Sequence, residues 1–331
     1  MTPGPKPKQR AQFFRELAQL TGAGISVTQA GQVLGQEWRD ASVRGAVAQM
    51  EKGLAEGRTI ADALSGSLTP MEHSIIQAAE RGGKLAQGFR HLEEYYHLLD
   101  TTVARVRGTL LYPLFMLHAA VLLPALVSGV MAGSGPDDIL KSLVLGVAGI
   151  WIGVAVLWRG GKWLAQVAVN SAAVDLALGM IPLIGAARKA LALARWHAVV
   201  HFNIASSQRI SEGLKEAGRA TRGALLNEAS QRAAQSVEDG IELGASLIAQ
   251  PAFPREMSAA LAAAEFTGNL DTETLRLSRD SMTQAASTLE TNTKRICGVF
   301  YGVVVLFTAW QIFRVAGLYV GMYSKFMDEL G

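Results

Sequence analysis

Apolar residues recur at helical spacing through residues 10–107. Phe13, Phe14, Leu17, Ala18 and Leu20 share one face of a first helix. Thr21-Gly22-Ala23-Gly24 breaks it, because glycine supplies turn geometry without steric cost. Val27, Ala30, Val33 and Leu34 begin a second helix with Ser26 as its N-cap. Further helices are expected over residues 40–56, 59–64 and 69–80, the last with Thr69 as N-cap and Pro70 at the first helical position. A longer helix starts after Gly83 and carries Leu85, Phe89, Leu92, Tyr96 and Leu99. No alternating β-branched stretch interrupts this order. The pattern predicts a bundle of five or six short helices over residues 10–107, behind a disordered, Pro- and Lys-rich tail at residues 1–9.

The pattern then changes from striped to continuously apolar. Residues 108–131 carry no formal charge and suffice to cross a bilayer, which takes about 20 apolar residues; His118 is the polar exception. A polar loop follows at residues 132–142, with Asp137, Asp138 and Lys141. A second span is expected over residues 143–158, where Trp158 suits the membrane interface. Residues 159–186 remain apolar but are interrupted by Lys162, Asn170 and Asp175, and predict an interfacial helix ending in a break at Pro182. A second helical bundle is expected over residues 187–295. Residues 296–323 form the third span, with Arg314 its only charge, and residues 324–331 a short tail.

The two bundles are related. Ala78-Ala79-Glu80-Arg81-Gly82-Gly83-Lys84-Leu85 is echoed by Ala263-Ala264-Glu265-Phe266-Thr267-Gly268-Asn269-Leu270, an offset of 265 − 80 = 185 residues. Ile25-Ser26 pairs with Ile210-Ser211 at the same offset, and Gly57 pairs with Gly244 at 187. After each core motif the chain continues as a helix into a span. This is one duplication of about 100 residues and not a short-period solenoid. The expected fold class is an all-α membrane protein with two homologous helical bundles, about six helices each, and three transmembrane helices.

Composition narrows the function. Net charge is only +3, which argues against free nucleic acid as a partner. Cys297 is the single cysteine, so no disulfide framework or cysteine-based zinc site forms within one chain. The polar N-terminus has no apolar run and predicts no cleavable signal peptide. Residues 1–107 hold 13 Lys and Arg, residues 159–295 hold 15, and the loop between the first two spans holds one. Basic residues beside the spans (Arg105, Arg107, Arg159, Lys162, Lys294, Arg295) fall on one side. The positive-inside rule therefore puts both bundles in the cytoplasm and the C-terminus outside.

With these motifs in order, the chain resembles the F-type inner-membrane platform proteins of type II secretion systems and type IV pili. The resemblance covers nearly the whole chain. Its turn motif is matched by Gly22-Ala23-Gly24-Ile25-Ser26, and its Glu-x-x-Gly-x-Leu core by Glu80, Gly83, Leu85 and by Glu265, Gly268, Leu270. Tyr112-Pro113 matches a Tyr-Pro at the head of the first span. Pro182 and Gly185 match a Pro-x-x-Gly before the second bundle. Two departures stand out: alanine (Ala79, Ala264) precedes each core Glu, and the second turn has Gln208-Arg209 where the glycine is expected. The resemblance implies a non-enzymatic scaffold in the bacterial inner membrane that couples a cytoplasmic secretion or pilus ATPase to pilin or pseudopilin subunits. It also implies other inner-membrane platform proteins and further copies of the chain as partners, with no cofactor. A small transporter or channel subunit built on a duplicated unit is the alternative.

Several residues invite chemistry. Glu80 and Glu265, at helix ends, either satisfy local backbone donors or contact another subunit. Gly82-Gly83-Lys84 suggests a phosphate loop, but the upstream glycine, the following Ser/Thr and the preceding strand are missing. His197 and His201 sit one helical turn apart without a third metal ligand nearby. His118 is expected to bond to a neighbouring helix, and Arg314 to pair or to reach the interface. Arg188, Lys189 and Arg195 either touch anionic headgroups or end a solvated helix. No catalytic, cofactor or metal site is expected.

Overall fold

The computed structural model describes residues 6–37, 41–131, 133 and 135–330, and among them are fourteen helices and no strand. The first repeat gives α1 (Pro7–Gly22), α2 (Val27–Glu37), α3 (Ala41–Ala55), α4 (Ile60–Ala63), α5 (Pro70–Arg81) and the 47-residue α6 (Leu85–Met131). Then come α7 (Pro136–Asn170), α8 (Ala172–Met180) and α9 (Ile184–Ala205). The second repeat continues with α10 (Ile210–Ala220), α11 (Ala224–Glu238), α12 (Leu243–Ile248), α13 (Arg255–Phe266) and the 61-residue α14 (Leu270–Leu330).

Local chemistry explains the helix starts. Thr69 Oγ1 accepts from the Glu72 N–H at 3.3 Å and Glu72 Oε2 accepts from the Thr69 N–H at 2.5 Å, a capping box with Pro70 at the first helical position. Ser26 Oγ accepts from the Gln29 N–H at 3.3 Å. Several boundaries differ from the sequence pattern, among them the start of α7 at Pro136, inside the expected polar loop at residues 132–142. Helix α1 begins at Pro7, inside the expected tail, because proline at a first helical turn has no N–H to leave unpaired. Helix α7 runs on to Asn170, so residues 159–170 extend the second span's helix; Ser171 then caps α8 by accepting from the Val174 N–H at 3.5 Å. Helix α14 continues past residue 323 to Leu330. Residues 1–5 of the expected tail and the side chain of Arg314 lie outside the described residues.

The chain forms two compact units. The first comprises the residues up to Val103 together with Gln166–Leu289, and both repeats feed one core within it. Phe14, Leu17, Ile75, Ile76 and Phe89 come from the first repeat, and Trp196, Leu214 and Leu243 from the second. Phe14 stacks on Phe89 and Tyr96 at centroid distances of 6.3 and 5.9 Å. Trp196 is fully buried, and its Nε1 donates to Ser230 Oγ at 2.9 Å, so the indole leaves no orphan donor in the core.

The second unit comprises Ala104–Ala165 and the residues from Glu290 onward. Its outer surface is apolar: Leu111, Phe115, Leu157, Leu306 and Phe313 are exposed. Helices α6, α7 and α14 are each long and apolar enough to cross a membrane. Pro113 lies inside α6 and deprives the Thr109 carbonyl of its helical donor. Cys297 Sγ approaches that carbonyl at 3.9 Å, and the Tyr112 ring lies 6.4 Å from that of Tyr301. His118 bonds to the Leu114 carbonyl of its own helix at 2.7 Å, not to a neighbouring helix as expected, because the carbonyl one turn back is the nearest acceptor. Its ring packs 6.2 Å from Trp151.

The turns of the first unit correct the repeat alignment. Gly24 has φ 85°, with its N–H bonded to Thr21 O and the Ile25 N–H bonded to Leu20 O. The same pair of bonds recurs from Ser207 to Ile204 O and from Gln208 to Asn203 O, with Ser207 at φ 55°. The match to Gly24 is therefore Ser207, at 207 − 24 = 183, and not Arg209. Gly57 (φ 76°) likewise matches Gly240 (φ 88°), again at 183, whereas Gly244 occupies the place of Ala61. The offset reaches 185 only at the core motif, because α12 has six residues where α4 has four, while the connections that follow them are equally long.

A serine in the left-handed region carries a penalty of about 1–2 kcal/mol that glycine avoids. Replacing Ser207 by Gly is expected to stabilise the protein by up to about 1 kcal/mol, and Gly24→Ala to destabilise it by a similar amount, in thermal unfolding of the detergent-solubilised chain.

Candidate functional site

Both core motifs fold into the same helix-ending turn. At the end of α5, Gly82, Gly83 and Lys84 donate their N–H groups to the carbonyls of Ala78, Glu80 and Ala79 at 2.9, 3.2 and 2.7 Å. At the end of α13, Thr267, Gly268 and Asn269 donate to Ala263, Glu265 and Ala264 at 3.1, 3.2 and 2.8 Å. Gly83 (φ 66°) and Gly268 (φ 71°) take the left-handed position that reverses the chain. Leu85 and Leu270 then start α6 and α14, half-buried against the shared core.

The two carboxylates face another helix start. Glu80 accepts from the Ile60 N–H at 2.9 and 3.1 Å and from the Ala61 N–H at 3.5 Å. Glu265 accepts from the N–H groups of Leu243 and Gly244, both at 2.8 Å. Helices α4 and α12 have only four and six residues, so most of their amides lack a partner within the helix. A carboxylate there satisfies the donors and complements the positive end of the helix. Both oxygens of each Glu are engaged in this way.

Lys84 does not face a phosphate loop. Its Nζ donates to the Ala205 carbonyl at 2.5 Å, where a cation complements the negative end of α9. Gly82 lies against the turn after α9, and a Cβ there would sit 2.7 Å from Ser206 Cβ. The core motif of the first repeat is thus fitted to the first turn of the second. The second motif presents Asn269 and Thr267 instead, and its Phe266 is 93% exposed.

The remaining candidates resolve individually. Gly22 closes α1. The Pro182 carbonyl accepts from the Ile184 N–H at 2.9 Å across Leu183, which is forced to φ 73°, a γ-turn. The Gly185 backbone packs so closely on Gly179 that a Cβ would lie 2.2 Å from its carbonyl oxygen. Arg188 pairs with Asp175 at 2.7 Å, and the other Asp175 oxygen accepts from the Leu225 N–H at 3.1 Å near the start of α11. In sequence Asp175 only interrupts an apolar run; its role depends on a chain segment 50 residues away. Arg195 is neither solvated nor at a helix end, since its Nη2 donates to the Thr221 carbonyl at 2.6 Å within the first unit.

His197 and His201 are buried and take hydroxyl partners, Ser281 Oγ at 2.8 Å and Thr274 Oγ1 at 3.2 Å. Among the described residues no group of three or more His, Cys, Asp or Glu is placed to hold a metal. Burial lowers the pKa of His197 to about 4 and also depresses that of His201.

Comparison with known proteins adds a family. The model of "Type II secretion system (T2SS), protein F" matches residues 13–133 and again residues 203–313, so it recognises both repeats with the spans they lead into. The chain is 25% identical to the Type 4 fimbrial assembly protein PilC of Pseudomonas putida, over 94% of this chain and 86% of that one. It is 24% identical to the Type II secretion system protein F of Aeromonas hydrophila, over 81% and 74%. It is 22% identical to the Type IV pilus assembly protein PilC of Thermus thermophilus, over 91% and 80%.

Removing the Glu265 carboxylate strands two backbone donors. Glu265→Ala is expected to destabilise by about 1–3 kcal/mol in denaturant unfolding, with Glu80→Ala behaving alike. The buried histidines set a pH dependence. Unfolded histidine binds a proton below about pH 6.5, whereas folded His197 resists until about pH 4. Stability is therefore full above pH 6.5 and falls as the pH drops toward 4. At pH 5 the loss attributable to His197 is about 2 kcal/mol, and His197→Gln should remove that part of the slope.

Proposed function

The chain belongs to the type II secretion system protein F family, and from that premise we propose that it is a non-enzymatic platform in the bacterial inner membrane that couples a cytoplasmic assembly ATPase to pilin or pseudopilin subunits. The observation that carries this is the double match of the family model to a duplicated unit that leads each time into an apolar helix. A role within secretion or pilus machinery follows from the family. Orientation follows from charge: the basic residues flanking the spans favour both helical repeats in the cytoplasm and the C-terminus outside. Two surfaces suit the two partners. In the second unit, an apolar groove of about 720 Å³ between α6 and α14, lined by residues such as Met116, Leu123, Pro124, Val304 and Ile312, suits the apolar helix of a pilin-like subunit. In the first unit, exposed Phe266 beside the Glu265 cap offers an aromatic anchor for the ATPase. Motor movement would pass along α6 and α14, whose helices run without a break from the core motifs into the apolar segments.

Capture of the cognate ATPase and pilin by the tagged full-length chain in detergent tests the reading; association with neither would sink it. Phe266→Asp is expected to cut ATPase capture at least about tenfold while leaving the melting temperature unchanged, since an exposed side chain contributes little to folding. Leu99→Pro, which breaks α6 at a cost of about 3 kcal/mol or more, should abolish secretion or piliation. Normal function in a stable Leu99→Pro protein would remove α6 from the coupling path.

A further inference from the structure

Inside the first unit, where the two repeats meet, is a cavity of about 220 Å³ lined by Arg10, Tyr95, Tyr96, Arg195, Arg222 and the start of α5 at Pro70. Its charges do not balance. Arg10 is compensated: it pairs with buried Glu72, donates to the Ser67 carbonyl at 3.3 Å and lies over the Tyr96 ring. Arg195 is not. One Nη donates to the Thr221 carbonyl at 2.6 Å, Tyr95 is its other neighbour, and its buried Nε has no hydrogen-bond partner. Burial pushes the pKa of the guanidinium down, and the charge of Arg222 pushes it the same way. Arg222 is exposed at the cavity, on the turn between α10 and α11. Among the described residues no carboxylate forms an ion pair with Arg195 or Arg222. A buried cation beside a second cation costs several kcal/mol unless an anion is supplied.

We propose that this cavity is a binding site for a phosphate-sized oxyanion, held between the guanidinium groups of Arg195 and Arg222 with the Tyr95 hydroxyl as a further donor. Two uncompensated guanidinium groups match a dianion, and arginine's planar fork suits phosphate oxygens. Size sets the class of ligand. With about 30 Å³ per water, the space takes one tetrahedral oxyanion and a few waters, and it is smaller than the roughly 300–1,000 Å³ of pockets that enclose drug-sized ligands, so it does not enclose a whole nucleotide. The phosphate is either free in solution or the end of a lipid headgroup.

The test uses the full-length protein in phosphate-free detergent micelles. Inorganic phosphate is titrated against chloride at matched ionic strength, with thermal unfolding and calorimetric binding as readouts. A saturable rise in Tm of roughly 5 °C with phosphate alone is expected. Arg222→Asn keeps a residue that tolerates the left-handed turn, so it should fold and lose at least about tenfold in phosphate affinity. Arg195→Met should melt no lower than the parent and show no phosphate response. A response confined to nanodiscs containing phosphatidic acid, and lost in Arg222→Asn, supports phosphate recognition and assigns the source to lipid. An equal response to chloride, full affinity in Arg222→Asn, or no response to phosphate in either setting overturns the proposal.

Discussion

A helix of one turn cannot satisfy its own amides, and this chain uses two such helices at the same place in each repeat. The supply of acceptors to α4 and α12 is the constraint around which the first unit is arranged. In each repeat one Glu on the last turn of the helix that follows reaches back to the short helix and accepts from its first N–H groups. The left-handed glycine three residues later ends that helix so that the next can leave in a new direction. Capping and chain reversal are therefore a single device, and Glu, Gly and Leu recur together because each serves one end of it.

The two copies of this device have diverged in what they touch. In the first, Lys84 and Gly82 fit against the end of α9 and the following turn, locking the repeats into one core. In the second, Asn269 replaces the lysine and Phe266 stands in solvent. A duplicated unit packed on its own copy has one joined and one free version of each surface. In the second copy the aromatic Phe266 stands in solvent where the first copy has Arg81. The cavity of Arg195 and Arg222 lies at the joined side, where two repeats bring basic residues together without bringing acids to match.

The membrane-type unit obeys a different rule. Its helices expose apolar side chains, and its polar backbone must be served from within. Pro113 breaks that rule at Thr109, and Cys297 answers it from a facing helix. His118 and the carbonyl at Leu114 form a similar local solution.

Much of this was legible in the sequence. Helix periods, the Thr69-Pro70 start, the three apolar runs and the repeated Glu-Gly-Leu motif depend on neighbours within a few residues, and such short-range causes leave a pattern that can be read. The register of the repeat was read only in part: identity suggested Ile25 with Ile210 and Gly57 with Gly244, whereas the turn geometry pairs Gly24 with Ser207 and Gly57 with Gly240. The role of Asp175, the docking of Lys84 on α9 and the enclosure of Arg195 were beyond the sequence. Each is a contact between segments 26 to 121 residues apart, set by how helices pack. Sequence alone determined that the chain is helical throughout and which helices are apolar enough to cross a membrane, because backbone hydrogen bonding and transfer from water act locally. Tertiary structure decided which charges are compensated and which are left free, because compensation depends on distance in space.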